Sequence, residues 1–131
     1  MTMRRSILVT GASKGLGRAI ALAYASHGYD LVIHGRDQKR LEKVRAEVNA
    51  HNVKCKVVVG DITEDTTIKG LTDAANEMDL NILINNAGIY LKKPVGEMSI
   101  TEFRRVLDVN LIAPVVLTKQ IFNVFKRNSS G

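Results

Sequence analysis

Short β-branched runs alternate with longer segments of helical spacing along the whole chain. The runs cover residues 6–10, 31–34, 56–59 and 80–85. The helical segments cover 16–27, 38–51, 64–78 and 100–126, with apolar residues three and four apart. Strands separated by helices cannot pair through tight hairpins. Each returns to the same end of the sheet through its helix, which gives a parallel sheet with right-handed crossovers. Residues 80–84 are nearly continuous in apolar side chains, as expected for a strand covered on both faces. The expected fold class is α/β: a doubly wound parallel sheet of about four strands with helices on both faces.

Helix boundary signals agree with this division. Gly28 follows the first helix as a left-handed terminator. Asp37 stands where it can cap the second helix. Thr63 precedes Glu64 and Asp65, which bring negative charge to the first turn of the third. Ser99-Ile100-Thr101-Glu102 fits a capping box, with Met98 and Phe103 as its apolar staple. The tail 128–131 reads as a turn.

Composition narrows the class further. The 131 residues, 45% of them apolar, suit one folded domain. Cys55 has no partner for an internal disulfide, which suits a reducing, cytoplasmic setting. Residues 1–6 are polar and basic, and Ile7-Leu8-Val9 is too short for a signal-peptide core. No membrane span and no metal site are expected. The net charge of +6 favours anionic partners. Nucleic acid is not the expected one. Lys39, Arg40, Lys43 and Arg45 interleave with Glu42 and Glu47, as on a solvated helix face. Aromatic residues, at 5%, form no stacking stripe.

The segment with the clearest chemistry is Thr10-Gly11-Ala12-Ser13-Lys14-Gly15-Leu16-Gly17, between the first strand and the first helix. Glycines there permit a tight turn, let a phosphate approach the backbone and let helix and strand pack closely. The helix start then offers N–H groups and a positive dipole end to a pyrophosphate. The spacing is G-x-x-x-G-x-G, not the more general G-x-G-x-x-G. Three further features follow in order. Asp61 comes after the third strand, Asn85-Asn86-Ala87-Gly88 ends the fourth, and Asn110 lies in the last helix.

Together these motifs resemble the short-chain dehydrogenase/reductase family, including its 3-oxoacyl-acyl-carrier-protein reductase-like members. The resemblance covers the whole chain. It implies a Rossmann-like sheet with strand order 3-2-1-4. It implies an NAD(P)-binding domain corresponding to the cofactor-binding N-terminal half of the family. Gly11, Ser13, Lys14, Gly15, Leu16 and Gly17 would hold the phosphates and adenosine ribose. Asp61 and Ile62 would border the adenine. Asn86, Ala87 and Gly88 would line the path to the nicotinamide ribose. Asn110 would be catalytic, through a water in a proton relay.

Residues after the second strand bear on the cofactor. NAD asks for a carboxylate at the ribose 2′-hydroxyl, and NADP for cations at the 2′-phosphate. Arg36 comes first, a fork-shaped cation suited to phosphate, and Lys14 would approach from the glycine turn. Asp37 could serve the ribose instead, but it is also the helix cap. The reading favours NADP(H) over NAD(H).

Pro114 falls four residues after Asn110 and has no N–H for that carbonyl. A kink is expected there, with the Asn110 carbonyl free to hold a water. The family's tyrosine and lysine, four apart, are not found. Tyr24, Tyr29 and Tyr90 are followed at that distance by Gly28, Ile33 and Pro94. Two functions stay open: an oxidoreductase acting on a carbonyl or alcohol, represented by its cofactor half, and an inactive nucleotide-binding or assembly fragment. Strand 80–85 would be a long apolar edge, so self-association through that edge or through 100–126 is expected.

Overall fold

The computed structural model describes residues 3–129; the tail residues Ser130 and Gly131 lie outside it. Four strands, β1 (Ser6–Val9), β2 (Asp30–Gly35), β3 (Cys55–Val59) and β4 (Ile82–Ile84), pair in parallel in the order β3-β2-β1-β4. Their connections are α1 (Gly15–Ser26), α2 (Gln38–Asn49) and α3 (Asp65–Glu77). The chain ends in α4 (Ile100–Leu107), a π turn (Asp108–Ile112) and α5 (Ala113–Asn128).

Strand alternation sorts the core into two layers. Ile7, Val9, Leu31 and Ile33 face α1 and α2, where they meet Ala21, Ala25, Leu41, Val44 and Val48. Leu8 and Val32 face the other side, against Leu71 and Ala75 of α3 and Leu117, Ile121 and Val124 of α5. Both faces are covered, and the sheet is doubly wound. Cys55 is buried in the first layer, and burial pushes its thiol up to about 12.

Three expectations change in detail. The fourth strand is only three residues long, because its flanks have other partners. Leu80 is fully buried and its N–H donates to the Ala75 carbonyl. The Asn81 side chain accepts from the Ser6 N–H at 2.8 Å. The exposed edge is therefore short, not long. The third helix is capped at Glu64, because Thr63 turns its N–H and hydroxyl to Asp61. The last helix is not one α-helix. Its kink takes the form of a π turn, with the Ala113 N–H donating to the Asp108 carbonyl five residues back. Pro114 then stands in the first turn of α5, where a missing N–H costs little. Val109, Ala113, Leu117 and Ile121 recur every four residues and all are buried. A 3.6-residue turn falls short of that spacing, and the wider π turn takes up part of the difference. The helical run Ile100–Asn128 is long and apolar enough to cross a bilayer by length and composition, at a mean hydropathy of 1.2. Here its buried stripe covers the sheet.

Candidate functional site

The loops after all four strands enclose an open cleft of about 290 Å³ at the carboxyl end of the sheet. β1 lies between β2 and β4, so the strand order reverses beside this cleft. Doubly wound sheets bind ligands at such a reversal. Gly11, Ser13, Lys14, Gly15 and Leu16 line it from the turn after β1. Arg36 does so after β2, and Asp61 and Ile62 after β3. Asn86, Ala87 and Gly88 complete it after β4. Gly17 and Asn110 are not part of the lining.

Gly17 acts beneath the cleft. A Cβ there would collide with the Gly11 carbonyl oxygen and reach to 2.5 Å from Asn86 Nδ2. Gly11 has φ +64°, and a Cβ on it would sit 2.8 Å from Ala87 Cα. The two glycines let α1, the turn and the loop after β4 stack without a gap. Asn86 locks that stack. Its Nδ2 donates to the carbonyls of Thr10 and Gly11 at 3.1 and 3.0 Å. The Thr10 hydroxyl accepts from the Asn86 and Ala87 N–H groups at 3.0 and 2.9 Å.

The start of α1 differs from the starts of α2, α3 and α4. Lys14 takes the cap position, no side chain among the described residues caps it, and its first turn carries no acid. By contrast Asp37 caps α2, Ser99 caps α4 in a full capping box, and α3 carries Asp65 in its first turn. The α1 N–H groups and positive dipole end therefore face the cleft ready for an anion. Lys14 and Arg36 border it, both exposed. Asp37 is committed elsewhere: its carboxylate accepts from the Arg40 N–H at 3.0 Å and lies 3.5 Å from Arg40 Nε. Gly35 leaves room for Ser13, whose Oγ lies 3.4 Å from where a Cβ would stand.

Asp61 is held from two sides. One oxygen accepts from the Thr63 N–H and hydroxyl at 2.9 and 2.8 Å, and the other from Arg105 of α4 at 2.5 Å. Partial burial opposes its charge, but the Arg105 and Thr63 hydrogen bonds prevail and bring its pKa down to about 2. Asn110 faces the loop after β4. Its Oδ1 accepts from the Ile89 N–H and its Nδ2 donates to the Ile89 carbonyl, both at 2.8 Å. Sequence reasoning missed Arg105 and His34. Arg105 had no motif to mark it. His34 was legible as the titratable side chain that ends the apolar run 31–34; it is 2% exposed, and burial pushes its pKa below the ordinary 6.5.

Known proteins share this arrangement. The family model for short chain dehydrogenase matches residues 5–131. Dehydrogenase/reductase SDR family member 7B of Xenopus laevis is 32% identical over 95% of this chain and 41% of its own length. The bulky-bulky ketone specific alcohol dehydrogenase of Comamonas testosteroni superposes with a TM-score of 0.91 at 26% identity. That match covers 99% of this chain and 53% of the other. The alcohol dehydrogenase of Thermococcus sibiricus, solved in complex with 5-hydroxy-NADP, gives 0.90 at 29% identity, over 97% of this chain and 55% of its own. The chain spans about half the length of these relatives. With the glycine turn, the Asn-Asn-Ala-Gly segment and the 3-2-1-4 sheet in one frame, this chain belongs to the short-chain dehydrogenase family.

Proposed function

We propose that residues 1–131 form a single NAD(P)-binding domain, the cofactor-binding half of an NADP(H)-dependent oxidoreductase acting on a carbonyl or alcohol. The observation that carries the cofactor choice lies after β2. Asp37 caps α2, while Arg36 borders the cleft with Lys14 and Ser13 opposite. A 2′-phosphate would meet two cations and a hydroxyl. A bare ribose hydroxyl would find no unengaged carboxylate from Asp37. The Thermococcus neighbour, solved with 5-hydroxy-NADP, supports the same choice.

The residues present fit a dinucleotide in an extended pose. The N–H groups of Gly15, Leu16 and Gly17 would take the pyrophosphate. Asp61 and Ile62 would border the adenine, with Asp61 kept ionised by Arg105. Asn86, Ala87 and Gly88 would carry the cofactor toward its nicotinamide end. Bound there, the nicotinamide supplies or accepts a hydride. Asn110 fixes Ile89 and so shapes the loop beside that end.

A second reading, a nucleotide-binding or assembly fragment without turnover, is favoured by the tyrosines. Tyr24 and Tyr29 pack edge to face, 5.0 Å between centroids, where α1 ends and β2 begins, away from the cleft. Tyr90 is exposed in the loop after β4. This chain alone is expected to bind NADPH without oxidising it in the presence of ketones. Self-association through the helical run is part of the proposal, because Phe103, Leu111, Val115 and Phe122 are all exposed on it. Calorimetric titration tests the cofactor choice. NADP⁺ should bind at least tenfold more tightly than NAD⁺, and Arg36→Ala should remove most of that margin, about 1.5–3 kcal/mol. Tighter binding of NAD⁺ would overturn it.

A further inference from the structure

Among the described residues, Ser6, Thr10, His34 and Thr67 are the buried polar side chains, and of these only His34 can gain or lose a proton in the range of an imidazole or below it. It is the penultimate residue of β2, in register with Val58 of β3. Its ring bridges two loops of the cleft. Nδ1 lies 3.2 Å from the Gly11 N–H, and Nε2 lies 2.9 Å from the Gly60 carbonyl. An N–H can only donate and a carbonyl can only accept. The ring must therefore be the neutral tautomer with its proton on Nε2. The Gly11 carbonyl is meanwhile held by Asn86. The turn's first glycine is thus gripped through its N–H from β2 and through its carbonyl from the loop after β4.

We propose that His34 is a positioning residue that pins the glycine turn to the end of β3 through this single tautomer, so that protonating the ring releases Gly11 and weakens dinucleotide binding. A proton on Nδ1 would set two donors against each other at Gly11. The main-chain bond from Ala12 N–H to the His34 carbonyl, 2.7 Å, does not depend on the ring and would keep the strand in place. The charged groups around the ring are few. Asp61 beyond β3 favours the charged form and Arg36 beyond β2 opposes it. Lys14 of the turn and Arg105 of α4 line the same cleft and add positive charge. Burial leads, and the ring stays neutral until the pH falls below its ordinary range. The unfolded chain takes up the proton first, so this contribution to stability is full above about 6.5 and is lost as pH falls further.

This inference rests on the dinucleotide reading of the cleft, and its test separates the two. The nitrogen-labelled chain is followed by NMR from pH 8 to 5, reading the His34 ring nitrogens and the Gly11 amide. In parallel, affinity for NAD⁺ is measured, because NADP⁺ carries a phosphate that itself titrates near pH 6. The Nε2–H tautomer is expected at pH 7.5. The Gly11 amide should move with the ring titration, and NAD⁺ affinity should fall in step with the ring's protonation, toward a limit about tenfold weaker. His34→Asn keeps an acceptor for Gly11; it should bind within about threefold of the parent and lose the acid drop. His34→Gln turns its amide to Gly60 and leaves Gly11 unpaired; it should bind about tenfold more weakly at every pH. A Gly11 amide indifferent to the ring titration, or an acid drop retained in His34→Asn, would overturn the inference. A Gly11 amide that follows the ring in a chain binding no dinucleotide would uphold the pin and overturn the cofactor reading instead.

Discussion

Gly11 and Gly17 touch the same few atoms, and a single methyl between them has nowhere to go. Gly17→Ala would drive its Cβ into the Gly11 carbonyl and against Asn86, neither of which can move without breaking the stack. We expect it to lower stability by about 1–3 kcal/mol in urea unfolding. Gly15→Ala, whose added Cβ would meet nothing within 4 Å, should cost less, mainly through its φ of +57°. Asp61 makes a prediction about pH. Its folded pKa of about 2 lies below the ordinary 3.8. Its contribution to stability is therefore full above about 4 and fades as pH falls toward 2. Arg105→Leu should reduce that acid-sensitive share to what the Thr63 hydrogen bonds sustain, which parallel acid titrations followed by circular dichroism would read. The glycines, Asp61 and Asn86 were legible because each sits in a motif whose spacing has a physical reason. Arg105 was not, because it reaches Asp61 from 44 residues away, and no local pattern encodes that distance.

At the scale of elements, the capping signals carried the boundaries well. Asp37, Ser99 with Glu102, and Gly28 with its φ of +81° all do what their residue types suit. The errors fell where tertiary partners replace local ones: Asn81 and Leu80 shorten β4, and Thr63 gives its hydrogen bonds to Asp61 instead of a helix. The π turn was legible only as a break at Pro114. Its form depends on keeping Val109 and Ala113 against the sheet while Asn110 turns to Ile89. That gives a test. Asn110→Ala should leave the helices intact but free both Ile89 groups, and the Ile89 amide should exchange with solvent about tenfold faster or more. Unchanged exchange would mean that the loop is held by something other than Asn110.

For the whole molecule, alternating strands and helices dictated a parallel sheet with two covered faces, while its order β3-β2-β1-β4 was legible only through the family resemblance. What the chain leaves uncovered is the outer face of the helical run. Its exposed phenylalanines and β4 at the edge predict reversible association in sedimentation velocity at tens of micromolar. Phe122→Glu, on a residue 58% exposed, should reduce that association without loss of fold. The central claim is that the uncapped start of α1, together with Arg36, receives a phosphorylated dinucleotide. The most direct measurement is the map of amide shifts on adding NADP⁺ to the labelled chain. The account predicts the largest shifts at Gly15, Leu16 and Gly17, with further shifts at Arg36, Asp61 and Ile62. Shifts confined to the outer face of α5, or none at the start of α1, would contradict it.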